Sequence, residues 1–99
     1  DIVARVNLGY LLLEAGDGGE AESILREAAT RRPGSAVVQW CLAEVLATRG
    51  KRREALQLYR EAARLARQEG NERLKDRIEA REAAFARWIQ SHAVVKQPQ

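Results

Sequence analysis

One spacing, 34 residues, limits what this chain can become. Glu20-Ala21 returns as Glu54-Ala55, and Arg26-Glu27-Ala28-Ala29 returns as Arg60-Glu61-Ala62-Ala63. Val3, Leu8, Leu12 and Gly16 return as Val37, Leu42, Leu46 and Gly50. That makes ten identities at a single offset, where chance would place about two or three. A period of this length marks a stacked repeat array, in which each unit buries its apolar side only against its neighbours. Such an architecture implies that the protein works as a surface for something else.

The segments between breakers read as five helices. The first, 2–15, carries Ala4, Leu8, Leu11, Leu12 and Ala15 on one side and Val3, Val6, Tyr10 and Leu13 on another, and a helix apolar nearly all round must be packed from several directions or present an interface. Gly16 ends it. Asp17-Gly18-Gly19-Glu20 has the form of a capping box opening the second helix, 18–31, whose Ala21, Ile24, Leu25 and Ala28 face inward, with Glu22–Arg26 and Glu27–Arg31 as outer i,i+4 pairs. Pro33-Gly34 breaks the chain and Ser35 caps the third helix, 36–48, again apolar nearly all round. After Gly50 the fourth helix, 51–68, buries Ala55, Leu58, Tyr59, Ala62 and Leu65. Asn71 caps a fifth, 71–91, with one apolar stripe (Leu74, Ile78, Phe85, Trp88, Ile89), the pattern of a helix that closes the end of an array. The expected fold class is all-α, a single repeat domain over 1–92 with units 2–34 and 35–69, a capping helix and a loose tail 93–99.

Composition bounds the remaining possibilities. Ala, Leu, Arg and Glu dominate, and the net charge of +3 is spread among interleaved acids and bases. This balance needs no nucleic-acid partner. A single cysteine, Cys41, calls for no oxidising compartment and favours the cytoplasm over the periplasm. No apolar run approaches the roughly 18 residues of a membrane span. A start at Asp1 and the absence of Met suggest a piece of a longer protein.

The ordered set Leu8-Gly9, Leu12, Gly16, Ala21, Leu25, Ala28, Pro33 and then Leu42-Ala43, Leu46, Gly50, Ala55, Tyr59, Ala62 resembles two tetratricopeptide repeats followed by a capping helix. Two positions depart from that pattern. Arg5 replaces an early aromatic, and Arg67 replaces the closing proline of the second unit, so the fourth helix should run on and the fifth should dock slightly out of register. The resemblance implies a right-handed superhelix and a non-enzymatic scaffold that binds a peptide or partner domain in a concave groove. Carried over position by position, the groove is Val3, Val6, Asn7, Tyr10, Val37, Trp40, Cys41 and Glu44, extended by Leu74, Lys75 and Ile78. Where some relatives clamp a C-terminal carboxylate with Lys and Asn, this chain has Val6 and Tyr10, so apolar anchoring is expected, with Trp40 as chief anchor and Asn7 and Glu44 as polar contacts. An alternative has Trp40 and Tyr10 covered by a neighbouring repeat.

Catalytic and ligand chemistry find little footing. His92 stands alone near the end of the last helix, Cys41 has no histidine near it in sequence, and no carboxylate pair sits in apolar surroundings. Neither a cofactor nor a metal site is expected. Gly16-Asp17-Gly18-Gly19 follows a helix and lacks a lysine, which makes it a turn and not a phosphate loop. The basic run Arg49-Gly50-Lys51-Arg52-Arg53 lies at a helix N-terminus, where positive charge is unfavourable, and reads as a solvated turn or as a contact for phosphate or an acidic partner. Three roles follow: a protein–peptide interaction module; a self-associating or array element, with Val3, Val6, Tyr10 and Leu13 joining two copies; or the C-terminal part of a larger bacterial enzyme or membrane protein. For the last, Arg64-Leu65-Ala66-Arg67-Gln68-Glu69-Gly70-Asn71 is similar to the closing repeat tails of bacterial glycosyltransferase-like membrane proteins.

Overall fold

A computed structural model of the chain describes residues 1–93. The tail expected over 93–99 therefore lies outside the described residues, apart from the backbone of Ala93. Five helices run in order: α1 (Ile2–Glu14), α2 (Gly18–Arg31), α3 (Ala36–Thr48), α4 (Arg52–Gln68) and α5 (Glu72–Ala93). No strand occurs among the described residues, and the fold is an all-α helical repeat.

Three helices end in the same way. Gly16, Gly50 and Gly70 take φ of 90°, 82° and 79°, a left-handed conformation that costs a residue with a Cβ about 1 kcal/mol or more. At each, two backbone bonds close the helix: Gly16 and Asp17 donate to Leu13 and Leu12, Gly50 and Lys51 to Ala47 and Leu46, Gly70 and Asn71 to Arg67 and Ala66. At the other ends, Ser35 Oγ accepts from the Val38 amide at 3.2 Å and Asn71 Oδ1 from the Leu74 amide at 3.1 Å. The capping box expected at Asp17 does not form. Asp17 makes no side-chain cap bond, because its backbone (φ −96°, ψ 57°) lies outside the extended region from which a cap side chain reaches the first turn.

Each helix packs against its sequence neighbours, and α1 also touches α3. The helices of a pair meet over small residues: Ala21, Ala28, Ala55 and Ala62 are fully enclosed, and a Cβ added at Gly9 would come within 2.9 Å of Leu25 Cγ. The core runs on through Leu25, Leu42, Val45, Leu46 and Tyr59 to Ile78 of α5. The particle is 19 Å across its thinnest dimension, about two helix diameters, so the array has two layers. Helix α4 has 17 residues against 14 in α2, and α5 starts 36 residues after α3 whereas α3 starts 34 after α1. The extra turn follows from Arg67 standing where a proline would have stopped the helix.

Two expectations about burial change. Of the α5 stripe only Ile78 is fully enclosed, and Trp88 is 45% exposed. On α1, Leu8 and Leu11 are 45% and 62% exposed, so one of its two apolar sides is bare. The tight crossings give a direct check. Ala21→Leu or Ala55→Leu should lower stability by about 1–3 kcal/mol through overpacking, seen as a drop of several degrees in the melting temperature; an unchanged melt would mean that the helices do not meet there.

Candidate functional site

Of the expected concave positions, Val3, Val6, Asn7 and Val37 line one cavity and Glu44 a second, while Tyr10, Trp40 and Cys41 line neither. The first, about 370 Å³, lies at the N-terminal ends of α1 and α3 and is lined by Ile2, Val3, Val6, Asn7, Ser35, Val37 and Val38. Its walls are almost wholly apolar. Val3 is 62% and Val37 45% exposed, Asn7 faces solvent, and Val6 and Val38 form its floor. The second, about 340 Å³, lies among α3, α4 and α5 and is lined by Glu44, Ala47, Thr48, Tyr59, Arg81, Ala84, Phe85 and Trp88.

The polar groups of the second cavity are already engaged. Arg81 donates from Nε and one Nη to the two oxygens of Glu44, both at 2.9 Å, and Trp40 Nε1 donates to the same carboxylate at 3.0 Å. The Arg77 guanidinium covers the Trp40 ring at 5.3 Å from its centroid. Burial alone would raise the Glu44 pKa, but the hydrogen bond and charge of Arg81, with Tyr59 and Trp40 as further donors, outweigh it and hold the carboxyl below its ordinary range. Glu44, expected to face a ligand, thus ties α3 to α5, and the Trp40 N–H is spent on Glu44 within α3. Sequence reasoning missed Arg81, because a partner 37 residues away on an irregularly spaced helix leaves no local trace. Phe85 and Trp88 stack at 6.2 Å, Trp88 and His92 at 3.9 Å, and His92 Nδ1 lies 2.7 Å from the Trp88 carbonyl.

Cys41 and Ile78, placed on the groove by the family resemblance, belong to the core at 3% and 0% exposure. Burial first, and the nearby Glu44 charge, push the Cys41 thiol pKa up against the opposing Tyr10 hydrogen bond, so the thiolate needed for nucleophilic attack is scarce at neutral pH. Val6 is buried and Leu13 half-buried, which leaves Val3 and part of Tyr10 as the solvent-facing remainder of the Val3, Val6, Tyr10, Leu13 patch. Leu74 and Lys75 are half-buried, and Lys75 pairs with Glu72, Asp76 and Glu79 on its own helix. Among the described residues no three His, Cys, Asp or Glu side chains gather to hold a metal, and no helix is long and apolar enough to cross a membrane.

A family model described as tetratricopeptide repeat matches residues 12–76, more than half of the chain and both helix pairs from the end of α1 onward. The chain belongs to the tetratricopeptide repeat family. No curated protein matches it. Tetratricopeptide repeats generally mediate protein–protein interaction and are typically non-catalytic modules.

Between its two tetratricopeptide units this protein places a buried carboxylate. Glu22 of α2 is 6% exposed and receives Arg26 Nε, Arg49 Nε and Lys51 Nζ, each at 2.8 Å. Arg26 also forks onto both oxygens of Glu54, at 2.8 and 2.9 Å. The basic turn is therefore offset from within: Arg49 and Lys51 serve Glu22, and Arg52 lies 5.1 Å over the Trp88 ring. Glu22 was expected on an outer i,i+4 pair; the next unit packs over it and makes it internal. Burial would raise its pKa, but hydrogen bonds from Lys51 and Arg26 and their charges leave it lowered. A carboxylate depressed in the folded state stabilises the fold at every pH above its unfolded pKa and loses that contribution as pH falls through the folded value. Stability should thus stay level from neutral pH to about pH 5 and then decline, since Glu22, Glu44 and Glu54 are all depressed. Glu22→Gln should cost about 1–2 kcal/mol at pH 7 and shrink the acid-side loss in urea titrations; an unaltered pH profile would remove Glu22 from the junction.

Proposed function

We propose that this protein is a non-enzymatic interaction module that docks a partner peptide by apolar side chains in the cavity at the N-terminal ends of α1 and α3. The observation that carries this reading is the almost wholly apolar 370 Å³ cavity, with Val3 and Val37 exposed on its rim. Its size lies in the range of specific small-ligand and side-chain pockets, and such sites take their energy from apolar burial and their orientation from a few polar groups. Asn7, facing solvent on the same wall, offers an NH₂ group as donor and a carbonyl oxygen as acceptor to a peptide backbone. The 340 Å³ cavity supports docking less well, because a ligand there would compete with the Glu44–Arg81 pair.

A ligand for this cavity carries one or two aliphatic or aromatic side chains on an extended or helical backbone and no charge at the anchor. Peptides selected against the immobilised chain from a random displayed library supply the probe. Binding measured by fluorescence polarisation should weaken by about 2 kcal/mol, roughly thirtyfold, with Val37→Asp, while Trp88→Ala changes it little. Val37 is half-exposed, so the fold tolerates the change. Normal binding to Val37→Asp together with loss in Trp88→Ala would move the working surface to the α3–α5 cavity.

A further inference from the structure

The cavity bounded by α3, α4 and α5 differs in kind from the apolar one. Three aromatic side chains, Tyr59, Phe85 and Trp88, stand on its wall together with the carboxylate of Glu44. Rings and an acid in one recess attract the same group, since a ring turns a negative face to a cation and a carboxylate offers it two acceptors. The chain itself shows that preference. Arg81 forks onto both oxygens of Glu44 at 2.9 Å, and the Arg52 guanidinium lies 5.1 Å from the centroid of the Trp88 ring. Only the second unit is built this way. Thirty-four residues earlier, Glu44 and Tyr59 are replaced by Tyr10 and Leu25, and no acid is present.

Arg81 is an occupant that can be exchanged. Its side chain is 58% exposed, whereas that of Glu44 is 17% exposed. On leaving, Arg81 regains water and forfeits a pair that is worth little at a solvated position. Glu44 has no such recourse, because an enclosed carboxylate stripped of its cation is costly. A neutral or acidic ligand that displaced Arg81 would leave that acid unpaired, but a cationic ligand restores the pair as it breaks it. Among cations arginine fits best. Its planar fork matches both carboxylate oxygens, as that of Arg81 does, and the same plane stacks on aromatic faces, while lysine brings only a point charge. A cavity of about 340 Å³ has room for one long side chain. We propose that this cavity is a binding site for an arginine side chain of a partner protein, which takes the place of Arg81 on Glu44 and lies against Phe85 and Trp88. Arg81 is its gate, keeping the acid paired until the partner arrives. The site is separate from the apolar cavity at the ends of α1 and α3, and neither depends on the other.

The probe is N-acetyl-arginine N-methylamide, with the citrulline compound as its uncharged twin. Titrated into the whole ¹⁵N-labelled chain at constant ionic strength, the arginine probe should shift the Trp88 indole N–H and the amides of Glu44 and Ala84. The citrulline compound should leave them in place. Arg81→Ala frees Glu44 and should bind the arginine probe about tenfold more tightly than the unaltered chain. Because that change also removes a bond between α3 and α5, Arg81→Lys is measured beside it; the cation stays but the fork is lost, and the affinity should fall between the other two. Adding Glu44→Gln to Arg81→Ala should remove the gain, and Trp88→Ala, at an exposed position, should weaken binding about two- to fivefold. Equal affinities across the unaltered chain, Arg81→Lys and Arg81→Ala would overturn the proposal. So would citrulline binding as well as arginine, or shifts centred on Val3 and Val37.

Discussion

The close crossing of paired helices sets the terms for everything else in this molecule. At Gly9 against Leu25, and at the fully enclosed Ala21, Ala28, Ala55 and Ala62, there is almost no side chain to hold the backbones apart. Interaxial distance depends on the side chains at the contact, so small residues here bring the helices to the near end of the packing range. Larger residues are then displaced to the flanking stripes. Those stripes form the seam between units on one side and the wall of the cavity at the ends of α1 and α3 on the other. A substitution at a crossing is consequently felt both in the core and in the cavity at the ends of α1 and α3.

Charge decides which surfaces stay open. Glu22 binds three cations where the two units meet, and Glu44 draws Arg81 and Trp40 together where α5 closes the stack. Both carboxylates lose water on folding, and both recover it as charge-assisted hydrogen bonds, the stronger kind in a protein interior. What remains for a partner at the N-terminal ends of α1 and α3 is a neutral surface of valine and isoleucine with one exposed amide. That is why the proposed docking pocket takes its affinity from apolar burial and not from charge capture.

The two units are alike in sequence and unlike in circumstance. Val38, Leu42 and Val45 lie under a helix, while Ala4, Leu8 and Leu11 do not. Arg49 and Lys51 have an acid to receive them, whereas among the described residues Asp17 and Glu20 at the corresponding turn form no ion pair. In a stacked array the environment of a residue depends on what lies next to its unit as much as on the unit itself.

The sequence by itself determined the helices, their ends and the fold class. Period, breakers and caps act over a few residues, and Gly16, Gly50, Gly70, Ser35 and Asn71 behave as their local chemistry demands. It also determined that α4 would overrun, because a missing proline is a local fact. The site was legible only in part. Val3, Val6, Asn7 and Val37, placed on the groove by the family resemblance, line one cavity, but Cys41 and Ile78 went to the core, and Trp40 and Glu44 became a brace for α5. Those outcomes belong to the tertiary structure. Whether an apolar or charged side chain at a given helical position meets solvent, a neighbour or a counter-ion is set by helices tens of residues away, whose exact docking no 34-residue period encodes.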